Sequence, residues 1–205
     1  MSLFIKLRQL KDRNKPVLRN PLSEIFNNIP TIETERLLLR KITPDDAEDM
    51  YEYARSAQVT QYLLWDPHPD LNFTRRYLLH VQEQYRLGNY YDWAIELRAD
   101  HRMIGTCGFA AIDTDNNCAE VGYVINPQYR GRGIAPEALE QVLTFGFDNL
   151  HLHRIHARYL VGNDASRKVM DKCGLQFEGI AAGAILLRGN YRDVGTCAIL
   201  RNDFQ

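Results

Sequence analysis

The sequence predicts an α+β domain in which a mixed, mostly antiparallel sheet is flanked by helices, and three observations carry that prediction. Between Tyr91 and Asn126 three period-two segments follow one another across short polar turns, the pattern of consecutive antiparallel strands. Apolar residues recur at helical spacing on either side of them: Phe73, Tyr77, Leu78, Val81 and Tyr85 before, Leu139, Val142, Leu143, Gly146 and Phe147 after. Between the last strand and the second of these helices stands "QYRGRGIAPE", residues 128–137, with two glycines and two arginines.

Taken in order, residues 1–30 form a basic N-terminal extension. Its Phe4, Ile5, Leu7 and Leu10 are scattered among Lys6, Arg8 and Lys11, without the continuous apolar core that a signal peptide or membrane span requires. It reads as a surface arm or a contact in a homodimer, with no membrane partner. Residues 31–205 form one domain whose patterning starts near Thr34, where "ERLLLRKI" reads as a strand. Thr43 before Pro44, with Asp46 three residues on, resembles a capping box and opens a helix to about Ser56. A second helix runs between Asn72 as N-cap and Gly88 just past its end. Tyr91, Trp93, Ile95 and Leu97 alternate with Asp92, Ala94, Glu96 and Arg98, "ADHR" turns the chain into "MIGTCGFAAI", and "DTDNN" turns it into "CAEVGYVIN". After the glycine loop and its helix, "HRIHARYL" is a strand and "NDASRKVMDKCG" a short helix ending at Gly174. Two final strands surround the turn "RGNYRD".

Composition excludes several roles. A chain of 205 residues, 45% hydrophobic and 25% charged, builds one sizeable core. Its net charge of −1 gives no global field to recruit nucleic acid, so an anion must be held by a local constellation. Four cysteines without C-x-x-C spacing read as reduced thiols of a cytoplasmic protein. His151, His153 and His156 do not form a metal site, because strand alternation sets His156 opposite the other two and no cysteine or carboxylate stands at zinc-ligand spacing.

A glycine-rich turn from strand to helix aims backbone N–H groups at an anion beside the positive end of the helix dipole. Gly131 and Gly133 fit the first two positions of a dinucleotide fingerprint, but Pro136 fills the third and no βαβ unit precedes them. A P-loop needs wider glycine spacing and a following Lys-Ser or Lys-Thr, which are absent. The spacing of Gln128, Gly131 and Gly133, Q-x-x-G-x-G, instead resembles the acyl-CoA loop of the GNAT superfamily of N-acetyltransferases. Residues 32–50, 119–139 and 163–179, "IETERLLLRKITPDDAEDM", "AEVGYVINPQYRGRGIAPEAL" and "NDASRKVMDKCGLQFEG", are similar to the ribosomal-protein N-terminal acetyltransferase branch, the RimJ/RimL type.

That resemblance implies the GNAT fold, its sheet splayed so that the pantetheine of acetyl-CoA lies between two strands. It implies that Val124, Ile125 and Asn126 line the pantetheine and that Arg130, Gly131, Arg132, Gly133, Ile134 and Ala135 cradle the pyrophosphate. Lys168 is a further candidate for the CoA phosphates. Acetyl transfer needs a neutral amine, stabilisation of an oxyanion and a proton for the departing thiolate. Glu120 matches the family's glutamate base, acting directly or through water. The usual tyrosine acid is replaced by Met170, while Ser166 matches the serine that this branch places near the CoA sulfur, with Asn163 orienting CoA. Ser166 and Met170 lie four apart and share a helix face. Tyr191 and Asp193 match positions near the acceptor groove. The implied reaction is direct transfer of acetyl from acetyl-CoA to a primary amine, most naturally the α-amino group of a protein or peptide. A small amine such as a polyamine or aminoglycoside, or a non-catalytic acyl-CoA-binding module, are the alternatives.

Overall fold

In the computed structural model, which describes residues 22–204, the strands are β1 (Ile32–Glu33), β2 (Leu37–Arg40), β3 (Asp92–Leu97), β4 (Arg102–Asp113), β5 (Cys118–Ile125), β6 (Arg154–Leu160), β7 (Gln176–Leu187) and β8 (Asn190–Leu200). They make one sheet in the order β1-β2-β3-β4-β5-β6-β8-β7. Every pairing is antiparallel except the parallel one between β5 and β6. The helices are α1 (Leu22–Asn27), α2 (Ala47–Ala54), α3 (Ala57–Thr60), α4 (Leu71–Arg86), α5 (Ile134–Asp148) and α6 (Asp164–Lys172). The expected α+β architecture, a mixed and mostly antiparallel sheet with flanking helices, is thus the one observed.

Local chemistry explains the boundaries. Thr43 and Asp46 form the expected capping box around a short 3₁₀ turn, Pro44–Asp46, that leads into α2. The N-cap of α4 is Asp70 rather than Asn72: its carboxylate accepts a hydrogen bond from the N–H of Phe73 at 2.7 Å, and so the helix begins at Leu71. The last hairpin turns on Arg188 and Gly189 alone, both with positive φ, and "NYRD" already belongs to β8.

Helices cover both faces of the central strands, so alternation along β3 does not separate core from solvent. Trp93 packs its ring against Phe145 of α5 with centroids 5.3 Å apart, while Tyr85 of α4 donates to the carbonyl of Asp92 at 2.5 Å. Ala94 and Glu96 are buried like Trp93 and Ile95 on the other face; Glu96 accepts from Arg40, which also grips Asp46 and ties β2 to the start of α2. Residues 22–30, assigned from the sequence to the extension, pack on this core: Phe26 is fully buried against Tyr91, Trp93, Phe109 and Phe145. Residues 1–21, the rest of the basic arm, lie outside the described residues. No helix among the described residues is long and apolar enough to cross a membrane.

The feature that makes a site is where β5 and β6 part company. They pair only from Cys118 with Arg154 to Val121 with Ala157. Beyond that, β6 keeps β8 as its partner, through Arg158, Tyr159 and Leu160, and residues 122–125 keep only β4. A wedge opens in the middle of the sheet, bordered on the β5 side by unpaired backbone.

Candidate active site

At the end of β5 the chain makes a 3₁₀ turn, Pro127–Tyr129, and then the glycine loop into α5. Gly131 and Gly133 both have φ near +77°, a conformation that side-chain-bearing residues rarely adopt. A Cβ on Gly131 would meet no atom within 4 Å, and one on Gly133 only a guanidinium nitrogen of Arg36 at 3.6 Å, so nothing in the fold fills the loop's concave side. The first helical hydrogen bond runs from Glu137 N to Gly133 O at 3.2 Å; the N–H groups ahead of it are available at the positive end of α5. Arg36 holds the loop from outside, donating to the carbonyl of Arg132 at 2.9 Å and to the carboxylate of Glu137.

The wedge between β5 and β6 leads into a cavity of about 710 Å³. One part of its wall is Gly122, Tyr123 and Val124 of β5 with Arg158 of β6, together with Asn163 and Ser166 at the start of α6. Another is aromatic, with Trp65, Phe73 and Tyr77 around the buried His68 and Tyr90 beside Tyr77, and Asp92 and Thr106 line the same cavity. A pyrophosphate-sized cradle at a helix start, an open strand edge and a cavity beyond it are what a nucleotide-linked, extended thioester requires.

Three polar clusters mark the cavity. In the first, Tyr123 Oη donates to the backbone carbonyl of Ser166 at 2.8 Å and lies 3.0 Å from Ser166 Oγ, while Asn163 Oδ1 accepts from the N–H of Ser166 at 3.3 Å. In the second, Glu120 is held by Arg158 through two contacts of 2.8 Å, with His156 Nε2 3.8 Å away. Burial lowers the pKa of His156 below its ordinary value, and its Nδ1 is buried without a partner among the described residues. The third is Asp92. Burial raises its carboxyl to about 7, against a hydrogen bond from Thr106 that favours the charged form. Among the described residues no cation pairs with it.

The acetyltransferase (GNAT) domain family matches residues 36–176. The chain belongs to the GNAT acetyltransferases. It is 31% identical over 174 residues to a Bacillus licheniformis protein called uncharacterized N-acetyltransferase p20, spanning 85% of this chain and 98% of that one. It is 25% identical over 187 residues to the [ribosomal protein uS5]-alanine N-acetyltransferase of Escherichia coli, spanning 87% and 95%. A solved structure of a GNAT-family acetyltransferase from Bacillus anthracis superposes with a TM-score of 0.76 at 29% identity, over 84% of this chain and 99% of that one. This GNAT chain is an acetyl-CoA-dependent acyltransferase, and the open glycine loop and unpaired β5 edge fit that donor.

Within the GNAT site the residues singled out from sequence fall into three groups. Val124, Asn163 and Ser166 line the cavity together. Arg130 to Ala135 form the loop, although Ile134 points into the core and Arg132 lies over the ring of Tyr129 at 5.4 Å. The side chains of Ile125 and Asn126 are buried; Asn126 caps the turn after β5 by accepting from Gln128 N at 3.1 Å, which leaves only backbone to face a ligand. Glu120 stands behind Arg158 rather than in the cavity wall, and Lys168 is exposed on α6. Tyr191 and Asp193 lie outside the cavity: Tyr191 is 74% exposed, and Asp193 accepts from Gly183 N at 2.7 Å across the last hairpin. Sequence reasoning passed over Tyr123, Arg158 and Asp92. Alternation puts Tyr123 on the face of β5 opposite Glu120, away from the expected reaction centre, and nothing local pointed to Asp92. Among the described residues no three His, Cys, Asp or Glu side chains converge as a metal site.

Proposed function

We propose that this GNAT enzyme acetylates the α-amino group at the N-terminus of a peptide or protein, in the cytoplasm. One observation carries the choice of acceptor: of the two carboxylates in the cavity wall, Asp66 is engaged by Arg188 at 2.9 Å, and Asp92 alone has no cationic partner among the described residues. A single carboxylate suits a single ammonium group, whereas a polyamine with several charges calls for several. The rings of Trp65, Phe73 and Tyr77 offer apolar, π-rich surface for the rest of a terminal residue. An α-amino group, with pKa of about 8, also supplies more neutral nucleophile than lysine at about 10.4. The similarity to an enzyme that modifies a ribosomal-protein alanine supports the same reading.

In this reading the loop from Arg130 to Ala135 binds the pyrophosphate, and Val124, Ile125 and Asn126 meet the pantetheine through backbone groups. Ser166 presents its hydroxyl to the departing thiolate, which needs little acid strength because thiols ionise near 8.5, and Tyr123, donating to the Ser166 carbonyl, holds that serine in place. Glu120, expected from the sequence as base, is fastened to Arg158, and we assign it the task of fixing that guanidinium at the cavity wall. Unpaired cysteines throughout suit a reducing compartment.

The test is a mass-spectrometric screen of peptide N-termini and small amines with acetyl-CoA, run against a no-acceptor control. Acetylated peptide α-amines at rates well above those of polyamines and aminoglycosides support the proposal. Preferential modification of a small polyamine overturns it.

A further inference from the structure

We infer that Asp92, the carboxylate on the aromatic side of the cavity, accepts the proton that the acceptor's ammonium group must lose before it can attack. The inference rests on the proposed acceptor reading and adds a residue and a proton path to it. Geometry supports it first. Asp92 lines the same cavity as Ser166 and Tyr123, so an amine drawn to it shares one enclosed space with the residues proposed for the thioester end. Room for the carboxylate is kept by Gly108 on the paired strand: a Cβ there would come within 2.6 Å of Asp92 Oδ1 and 2.3 Å of the carbonyl of Tyr91. Thr106, on the same strand, steadies the carboxylate with its hydroxyl.

Electrostatics supports it second. The titratable groups that feel Asp92 are neutral ones: Tyr53 of α2, Tyr77 and Tyr85 of α4, Tyr90 ahead of β3 and Cys107 of β4, all raised above their ordinary values chiefly by burial. The remaining charged or basic groups of the cavity are committed or neutral. Arg158 is held by Glu120, Asp66 by Arg188, and the imidazole of His68, lowered by burial, contacts Thr74 Oγ1 at 2.8 Å. Burial brings the Asp92 carboxyl to about 7. Transfer from an α-ammonium at about 8 is then uphill by roughly one unit, against about four for an ordinary aspartate. Glu120 has the opposite surroundings, with a guanidinium on both of its oxygens.

The step balances simply. R–NH3⁺ and Asp92–COO⁻ become R–NH2 and Asp92–COOH, and Asp92 returns the proton to solvent after the product has left the cavity. The nitrogen's second proton, lost after the N–C bond forms and the C–S bond breaks, matches the one gained by the thiolate beside Ser166 and Tyr123.

Since the reactive pair is ionised Asp92 with protonated amine, kcat/KM of the wild type should be bell-shaped in pH, with an acid limb near 7 and a basic limb at the pKa of the amine. In Asp92→Asn the rate at neutral pH should fall on the order of 10²-fold. Its profile should lose both limbs and rise monotonically as the amine deprotonates in solution, with acetyl-CoA affinity by calorimetry unchanged. Thr106→Val, which keeps the shape of the site, should move the acid limb alone to higher pH, because the carboxylate loses its hydrogen-bond donor. A wild-type profile without the acid limb, an Asp92→Asn profile of wild-type shape, or an unmoved limb in Thr106→Val would each overturn the assignment. Failure of the wild type to acetylate any amine would instead defeat the proposed function.

Discussion

The two sides of the cavity are built in opposite ways. On the proposed donor side, residues 122–135 and the start of α6 form two unbroken stretches of chain, and most of what they offer a ligand is backbone: unpaired groups along β5, N–H groups at the start of α5. On the proposed acceptor side, side chains converge from α2, the connection into α4, α4 itself, β3 and β4, and apart from that connection the backbone of these elements is already spent in helix and sheet. A backbone site tolerates many side chains and is broken at the few positions where none fits. A side-chain site is retuned by almost every substitution, so specificity can diverge there while the donor stays the same.

The largest effect should come from breaking the donor side at its one intolerant kind of position. Gly133→Val forces a β-branched residue to φ near +77° and crowds the concave side of the loop, and acetyl-CoA affinity measured by calorimetry should fall 10²-fold or more, at roughly 1–3 kcal/mol for the strained conformation plus lost N–H contacts. Circular dichroism should report an intact fold. Unchanged affinity would remove the backbone from the donor site. Next in size, Ser166→Ala and Tyr123→Phe should each lower kcat by about 10-fold without changing acetyl-CoA affinity, and the double variant should lose less than the product because the two hydroxyls share one task. A fully multiplicative double variant would mean that they act separately.

A thermal measurement sharpens the comparison on the acceptor side. The folded-state pKa of Asp92, about 7, lies above its ordinary 3.8, so between those values the folded chain binds a proton that the unfolded chain has released. Stability from this group therefore declines as pH rises from about 4 to 7 and stays lowered above. Asp92→Asn should accordingly melt at roughly 5 °C above the wild type at pH 8 and show no gain at pH 4. An equal shift at both pH values would mean that the carboxyl is not raised. The smallest effect is expected at Glu120: Glu120→Gln weakens a partly exposed ion pair worth about 1 kcal/mol or less, and kcat/KM should fall only about two- to five-fold. A loss of 10²-fold with alkaline rescue would restore Glu120 as the base.

The same contrast decides what could be read before the structure. The glycine loop, the strand ahead of it and the Asn163–Ser166 segment were legible because each is short, contiguous and set by local rules. So were the capping box of Thr43 and Asp46 and the antiparallel order of β3 to β5. Asp92 was hidden because period-two alternation gives the two faces of a strand but not whether both are covered, and here α4 closes the face that carries it. Glu120 was expected to face the reaction centre, but its partner Arg158 comes from β6, and only the four-residue parallel pairing brings them together. Tyr191 and Asp193 were expected in the final turn, but the turn takes only Arg188 and Gly189, so both belong to β8, and neither lines the cavity. Phe26 and Ile29 sit in "LSEIFNNIP", a stretch grouped from the sequence with the basic residues that precede it although it carries none.

The wedge between β5 and β6 also has a meaning for the life of the protein between turnovers. Along residues 122–125 the sheet lacks a neighbour on one side, and in the proposed reading the pantetheine supplies amide groups where that neighbour would be. The donor is in this sense a missing strand, and filling the gap links the concentration of acetyl-CoA to the folding equilibrium, by about 2.7 kcal/mol when the donor stands at 100 times its dissociation constant. A proteolytic susceptibility assay would therefore report the supply of donor as well as the integrity of the fold. An enzyme of this construction is most exposed to degradation when the thioester it consumes is scarce.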